Sequence, residues 1–144
     1  MQNTSIGLLI DLVSVLGALF AMWKGGFAER VTAVVVILNV ITGEVAYILV
    51  PISEAMIRLF NDGITALVLL GVTVRFGALW MGGVMLFFAA QFSLHSYYLG
   101  TDRPHDFLHA LINNIDFSGI IGCLIIGTAV VWRRRVSARM AASA

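Results

Sequence analysis

The chain reads as an all-α, polytopic membrane helix bundle of five transmembrane helices, with its N-terminus outside and its C-terminus cytoplasmic. Three observations predict this. Hydrophobic residues make up 60% of the 144 and charged residues only 12%, and the mean hydropathy is +0.96, far from the range of a soluble domain. Five apolar stretches, roughly 5–23, 28–50, 55–74, 76–98 and 105–132, match the ~20 residues that a span needs. With five spans, seven of the nine Lys and Arg residues fall on one side, as the positive-inside rule expects. No other stretch is long enough for a soluble domain, so residues 1–144 form a single membrane-embedded helical domain.

The first stretch is a span and not a secretory signal, because Met1 to Ile10 carries no positive charge and Lys24 follows the apolar run, the reverse of a signal peptide's order. Gly25 and Gly26 turn the chain into the second span, which Pro51 ends. The third begins with Glu54, Arg58, Asn61 and Asp62 and is cleanly apolar only from Gly63 to Val74. Charge placement decides for it: with four spans, the Lys24/Arg30 loop and the Arg133–Arg139 tail would lie on opposite sides. The fourth span leads into the turn Thr101–Pro104. In the fifth, Pro104 suits a first helical turn, where its missing amide hydrogen has no intrahelical partner, and Asp106 meets the positive end of the helix dipole. Trp23, Trp80 and Trp132 with Lys24, Arg75 and Arg133–Arg135 form an inner aromatic and basic belt. Glu29 and Arg30 read as a solvated turn or a contact for a partner. Cys123 is alone, which leaves no disulfide framework and no thiolate cluster.

The clue to a site is depth. In the last span His105, His109, Asn113 and Asp116 are spaced by four, four and three, which puts them on one helical face. That stripe continues through Gly119, Cys123 and Gly127, where another helix can approach closely. The fourth and fifth spans form a hairpin centred near Asp102, so His95 stands level with His109, and Gln91 with Asn113. Asp11, Glu44, Arg58 and Asp62 reach the same level from the other helices. A carboxylate at the bilayer centre costs ~2.5–3.5 kcal/mol on an insertion scale, so Asp11 and Glu44 need partners, and Arg58 is the nearest cation. The candidate polar layer is thus Asp11, Glu44, Arg58, Asp62, Gln91, His95, His109, Asn113 and Asp116. Its acids outnumber its fixed cations, which makes it responsive to protons or to a bound cation.

These residues fit several chemistries. His95, His105, Asp106 and His109 supply ligand types for a divalent metal, although no H-E-x-x-H signature is present. His95 and His109 could act as axial ligands of a haem, against which stands the ~8–10 Å spacing of packed helices. A pH-sensitive histidine switch is a further alternative. No nucleophile elbow, phosphate loop or dinucleotide fingerprint appears, and no inverted repeat or broken helix pair marks a carrier. The reading is a non-catalytic accessory or assembly component with a polar outer-leaflet layer. Its alternatives are a metal- or haem-binding subunit and a proton or cation transport component. Its partners are the lipid bilayer and other membrane subunits or further copies of itself, not nucleic acid.

Gly25-Gly26 with Glu29-Arg30, Arg75-Phe76 with Trp80, and Gly127-Thr128 ending in Trp132-Arg133 resemble a pattern in small uncharacterised multi-span inner-membrane proteins of alphaproteobacteria. The resemblance implies a bacterial inner membrane and no particular chemistry.

Overall fold

The computed structural model describes residues 4–49, 54–104 and 106–143, with the side chains of residues 4–8, 11, 44, 47, 48, 54 and 55 outside the description. The described residues form five α-helices and no strand: α1 (Thr4–Lys24), α2 (Phe27–Leu49), α3 (Glu54–Phe76), α4 (Leu79–Gly100) and α5 (Phe107–Ala142). Two helical segments, Met56–Phe76 and Phe107–Ala142, are long and apolar enough to cross a membrane. Each helix packs against the next, α5 returns to α1, and α2 also meets α5 across the ring.

The connections are short and locally determined. Between α1 and α2, the Gly26 N–H donates to the Glu29 carboxylate at 2.8 Å. A third-position Glu reaching back to the cap residue is half of a capping box. Glu29 is therefore buried and not a solvated turn residue. Between α3 and α4, Gly77 adopts a φ of 62°, left-handed backbone that a Cβ would strain. Between α4 and α5, Asp102 takes the same region at φ 47°, which an Asp tolerates better than most side chains.

The start and end of α5 differ from the sequence expectation. Asp106 is the N-cap: its carboxylate accepts the His109 N–H at 2.9 Å. This places Pro104 in the connection ahead of the helix. A side chain that can bond the backbone holds the boundary more firmly than proline's fixed φ. At the other end α5 runs to Ala142 because Arg133 to Ala142 contains neither Gly nor Pro and is rich in Arg and Ala, which favour helix. Apolarity stops near Trp132, whereas helicity does not. Its 36 residues make a rod of about 54 Å. Pro51 lies outside the described residues.

Lys24, Arg30, Arg75 and Arg133–Arg139 gather at one end of the bundle, called here the arginine end; the α4–α5 turn marks the opposite, hairpin end. At the arginine end Arg135 donates to the Gly25 carbonyl at 3.2 Å, Lys24 lies 3.9 Å from the Trp23 ring centroid, and Phe27 packs on Phe76. Trp80, expected in a surface belt, instead packs inward against the core. A methyl group added at Gly127 would lie 2.5 Å from its indole, so the missing side chain is what admits the ring. Phe87 occupies the equivalent place on Gly119, and Cys123 the place over Gly83. Nearby, Val36, Leu69, Val84, Phe88, Ile120 and Ile121 form the main apolar core, with Ala18, Ala21, Ala33 and Leu124 beside it.

Candidate functional site: a polar cavity lined by five helices

Towards the hairpin end the packing opens into a cavity of about 190 Å³. Its lining comes from every helix: Ile10 of α1; Asn39, Val40 and Gly43 of α2; Arg58, Asn61 and Asp62 of α3; Gln91 and His95 of α4; Asn113, Asn114 and Phe117 of α5. Eight of these twelve side chains are polar or charged. Such a volume falls below the ~300 Å³ at which sites for drug-sized ligands begin.

A hydrogen-bonded chain forms one wall. His95 Nε2 stands 3.2 Å from Asp62 Oδ2, with both side chains buried. The other ring nitrogen, Nδ1, is 3.3 Å from Nε2 of His109. The Tyr98 ring meets His109 edge-on with centroids 4.7 Å apart, and the Tyr98 hydroxyl donates to Asp106 at 2.6 Å. Arg103 closes this network with an ion pair of 3.2 Å to Asp106. In this connection the Tyr98 hydroxyl, followed by the His109 amide, holds the Asp106 carboxyl below its ordinary value of 3.8, since both bonds favour the charged form.

Behind Asp62 lies an amide scaffold. Asn39 donates to Asp62 Oδ1 and to Thr65 Oγ1, each at 3.0 Å. Asn61 donates to the Asn39 carbonyl at 2.7 Å and accepts from Thr42 at 2.8 Å. Across the cavity Gln91 donates to Asn113 at 3.4 Å, a long contact. Asp116 is buried, with Oδ2 lacking any hydrogen-bond partner among the described residues.

The hairpin register inferred from the turn brings His95 to His109 and Gln91 to Asn113, because α4 and α5 pack antiparallel from Trp80 on Gly127 to the two imidazoles. Asp62 joins this group through His95, a partner on another helix. Arg58 lines the same cavity. The side chains of Asp11 and Glu44, and the whole of His105, lie outside the described residues. Asn39, Asn61, Thr65 and Asn114 belong to the site although the sequence reading left them out of it. A signal was present: Asn61 and Thr65 are four apart, with Asp62 between them, and so face one way.

The haem reading loses geometry here, while the metal set includes His105, which lies outside the described residues. The imidazole nitrogens of His95 and His109 point at each other in direct contact, with ring centroids 5.2 Å apart and planes at 52°. A haem needs its two axial nitrogens on opposite faces of a porphyrin, and these rings leave no gap for one. Asp106 is engaged by Tyr98, Arg103 and the His109 amide. Among the described residues no three His, Cys, Asp or Glu side chains converge as a metal site. The chain matches no protein-family model, no curated protein and no solved structure.

Proposed function

We propose that this chain is a five-span protein of a bacterial inner membrane, with the arginine end cytoplasmic, and that it acts as a non-catalytic accessory component binding a small polar ligand in its outer half. The observation that carries this reading is the cavity: eight polar side chains from four helices surround one space inside an apolar bundle. Polar and ionisable groups inside a membrane are costly and are retained where they serve a function.

The surface supports the membrane part. Leu12, Leu16 and Leu19 on α1, Leu38 and Ile41 on α2, Leu67 and Val74 on α3, Leu79 and Leu86 on α4, and Ile115 and Ile126 on α5 are all exposed, while Thr32, Asp62, Gln91, His95, Asp116 and Thr128 are buried. Apolar outside and polar inside reverses the arrangement that water selects. The transport reading has less support, because Val36, Leu69, Phe88 and Ile120 fill the bundle between the cavity and the arginine end. The Thr73 and Thr128 hydroxyls there bond carbonyls of their own helices.

Native mass spectrometry of the protein carried in its own membrane tests the proposal. A retained small-molecule mass is expected, lost in Asn114→Leu with helicity intact. Bare polypeptide, or polypeptide with phospholipid only, would overturn it.

A further inference from the structure

We propose that the seam between α1 and α5 at the arginine end binds the phosphate of an anionic phospholipid, with the Lys24 ammonium as its contact and Trp23 and Trp132 as its flanks. The inference rests on the membrane reading of the bundle and not on the cavity.

Charge is segregated along the bundle. Lys24, Arg30, Arg75, Arg133, Arg134 and Arg139 stand at the arginine end, and among the described residues none of them forms an ion pair or a side-chain hydrogen bond. The acid at this end is Glu29, which is buried with its carboxylate on the Gly26 N–H. At the hairpin end, by contrast, Arg103 pairs with Asp106 at 3.2 Å. Basic side chains without carboxylate partners, set between helix ends at the membrane surface, attract anionic headgroups.

Lys24 is the cation that the fold holds in place. Its ammonium lies 3.9 Å from the Trp23 ring centroid and 5.6 Å from that of Trp132, so one indole from each helix bounds it. Trp132 is fixed there twice. It meets Phe20 of α1 edge-on with centroids 6.2 Å apart, and one turn further along α5 Arg135 donates to the Gly25 carbonyl at 3.2 Å. Indole faces attract the charge, yet an ammonium also carries three N–H donors, which are left for an oxygen acceptor. Arg135 has a second effect. A cation on the last carbonyls of α1 offsets the negative end of that helix dipole, which would otherwise repel an anion at Lys24.

The surroundings select the ligand. Leu12, Leu16, Leu19 and Trp23 are spaced by four, three and four, one face of α1, and all four are exposed. This apolar track ends at Lys24, so a phosphate held there lays an acyl chain along α1, whereas free phosphate would cover none of it. Indoles also settle at headgroup level. A zwitterionic headgroup would bring its own ammonium into a region of unpaired cations whose one carboxylate is engaged by Gly26. A headgroup with net negative charge meets no such conflict.

Native mass spectrometry of the full chain in detergent micelles, titrated with phosphatidylglycerol or with phosphatidylcholine of the same acyl chains, tests the site. The first phosphatidylglycerol is expected to bind more tightly than the first phosphatidylcholine. Lys24→Gln should weaken it about fivefold, the contribution of one cation near an anionic surface, while Arg139→Gln in the last turn of α5 should leave it within about twofold of the native value. Trp132→Leu keeps every charge and should also weaken it. Equal losses in Lys24→Gln and Arg139→Gln would show a diffuse basic surface and overturn the site. So would displacement of the lipid by inorganic phosphate where chloride of equal ionic strength has no effect. The comparison of the two lipids on the native chain needs no variant, so a folding defect does not blunt it. Equal affinity for both would overturn the anionic site and leave the membrane reading standing, whereas binding of neither would remove both. The cavity ligand is lost in Asn114→Leu and the phospholipid in Lys24→Gln, so those two assignments fail separately.

Discussion

The two halves of the bundle use the same five helices and one α4–α5 register, yet they are built by opposite means. At the arginine half, residues without bulk set the contact: Trp80 lies on Gly127, Phe87 on Gly119 and Cys123 over Gly83, and the space between helices is filled. At the hairpin half the same α4 and α5 faces carry Gln91, His95, Asn113 and His109, which meet tip to tip through hydrogen bonds and leave a cavity beside them. Side-chain size at successive turns of one helical stripe therefore decides where this protein is solid and where it is open. It also decides how each half fails.

The largest effect is expected in the open half. Asp62→Ala removes the acceptor for His95 Nε2 and for one Asn39 hydrogen, and stranding buried donors should cost about 2–3 kcal/mol. Asp62→Asn should recover most of it, since an amide oxygen still accepts. Reversible unfolding in mixed detergent micelles reads both, and equal losses in the two variants would show that size and not hydrogen bonding holds this half. In the solid half the sharpest change is Gly127→Ala. Its methyl group meets the Trp80 indole, so overpacking should cost ~1–3 kcal/mol. Trp80→Leu in the same chain should relieve the strain, giving a coupling of opposite sign to a lost contact.

A smaller effect separates amide pairing from simple filling. Gln91 and Asn113 meet at 3.4 Å, and a double-mutant cycle with Leu at both should return a coupling near ~0.6 kcal/mol, the mean for interhelical hydrogen bonds in bilayers. A value above that would mean the pair also organises the cavity wall. The smallest effect lies in the exposed cap. Asp106 binds its proton more weakly when folded than when unfolded, so its stabilisation is complete above the ordinary carboxylate range and is lost as pH falls from about 4 through the depressed folded value. The group is only half-buried and is screened by solvent, so a modest acid-induced fraying of the first turn of α5 is expected, read as faster exchange of the His109 amide. Asp106→Asn should keep the cap and lose this acid response.

Much of this was legible in the sequence, for a physical reason that also marks the boundary. Helices announce themselves through apolar runs and breakers, and a short turn centred near Asp102 fixes antiparallel register, so His95 with His109 and Gln91 with Asn113 follow from counting. The Gly119–Cys123–Gly127 stripe likewise advertises a close approach. Contacts between helices not joined by a tight turn are not readable this way. The sequence gives Asp62 no marked partner on another helix, whereas it bonds His95 and Asn39 on two others. Asn39 looked like an isolated polar residue in an apolar helix, and its depth depends on how α2 sits against α3. The extension of α5 to Ala142 was hidden because hydropathy reports where lipid ends, not where helix ends.

The proposed function requires that the cavity be reached from the hairpin face and that the packing beyond it be closed, and side-specific cysteine labelling tests this most directly. Asn114→Cys and Val84→Cys are introduced separately in a Cys123→Ala background and exposed to a small charged methanethiosulfonate in right-side-out and inverted membrane vesicles. Labelling of Asn114→Cys from the hairpin face alone, with Val84→Cys protected on both sides, is the predicted result. Protection of Asn114→Cys from both sides, or labelling of Val84→Cys from either, would contradict it.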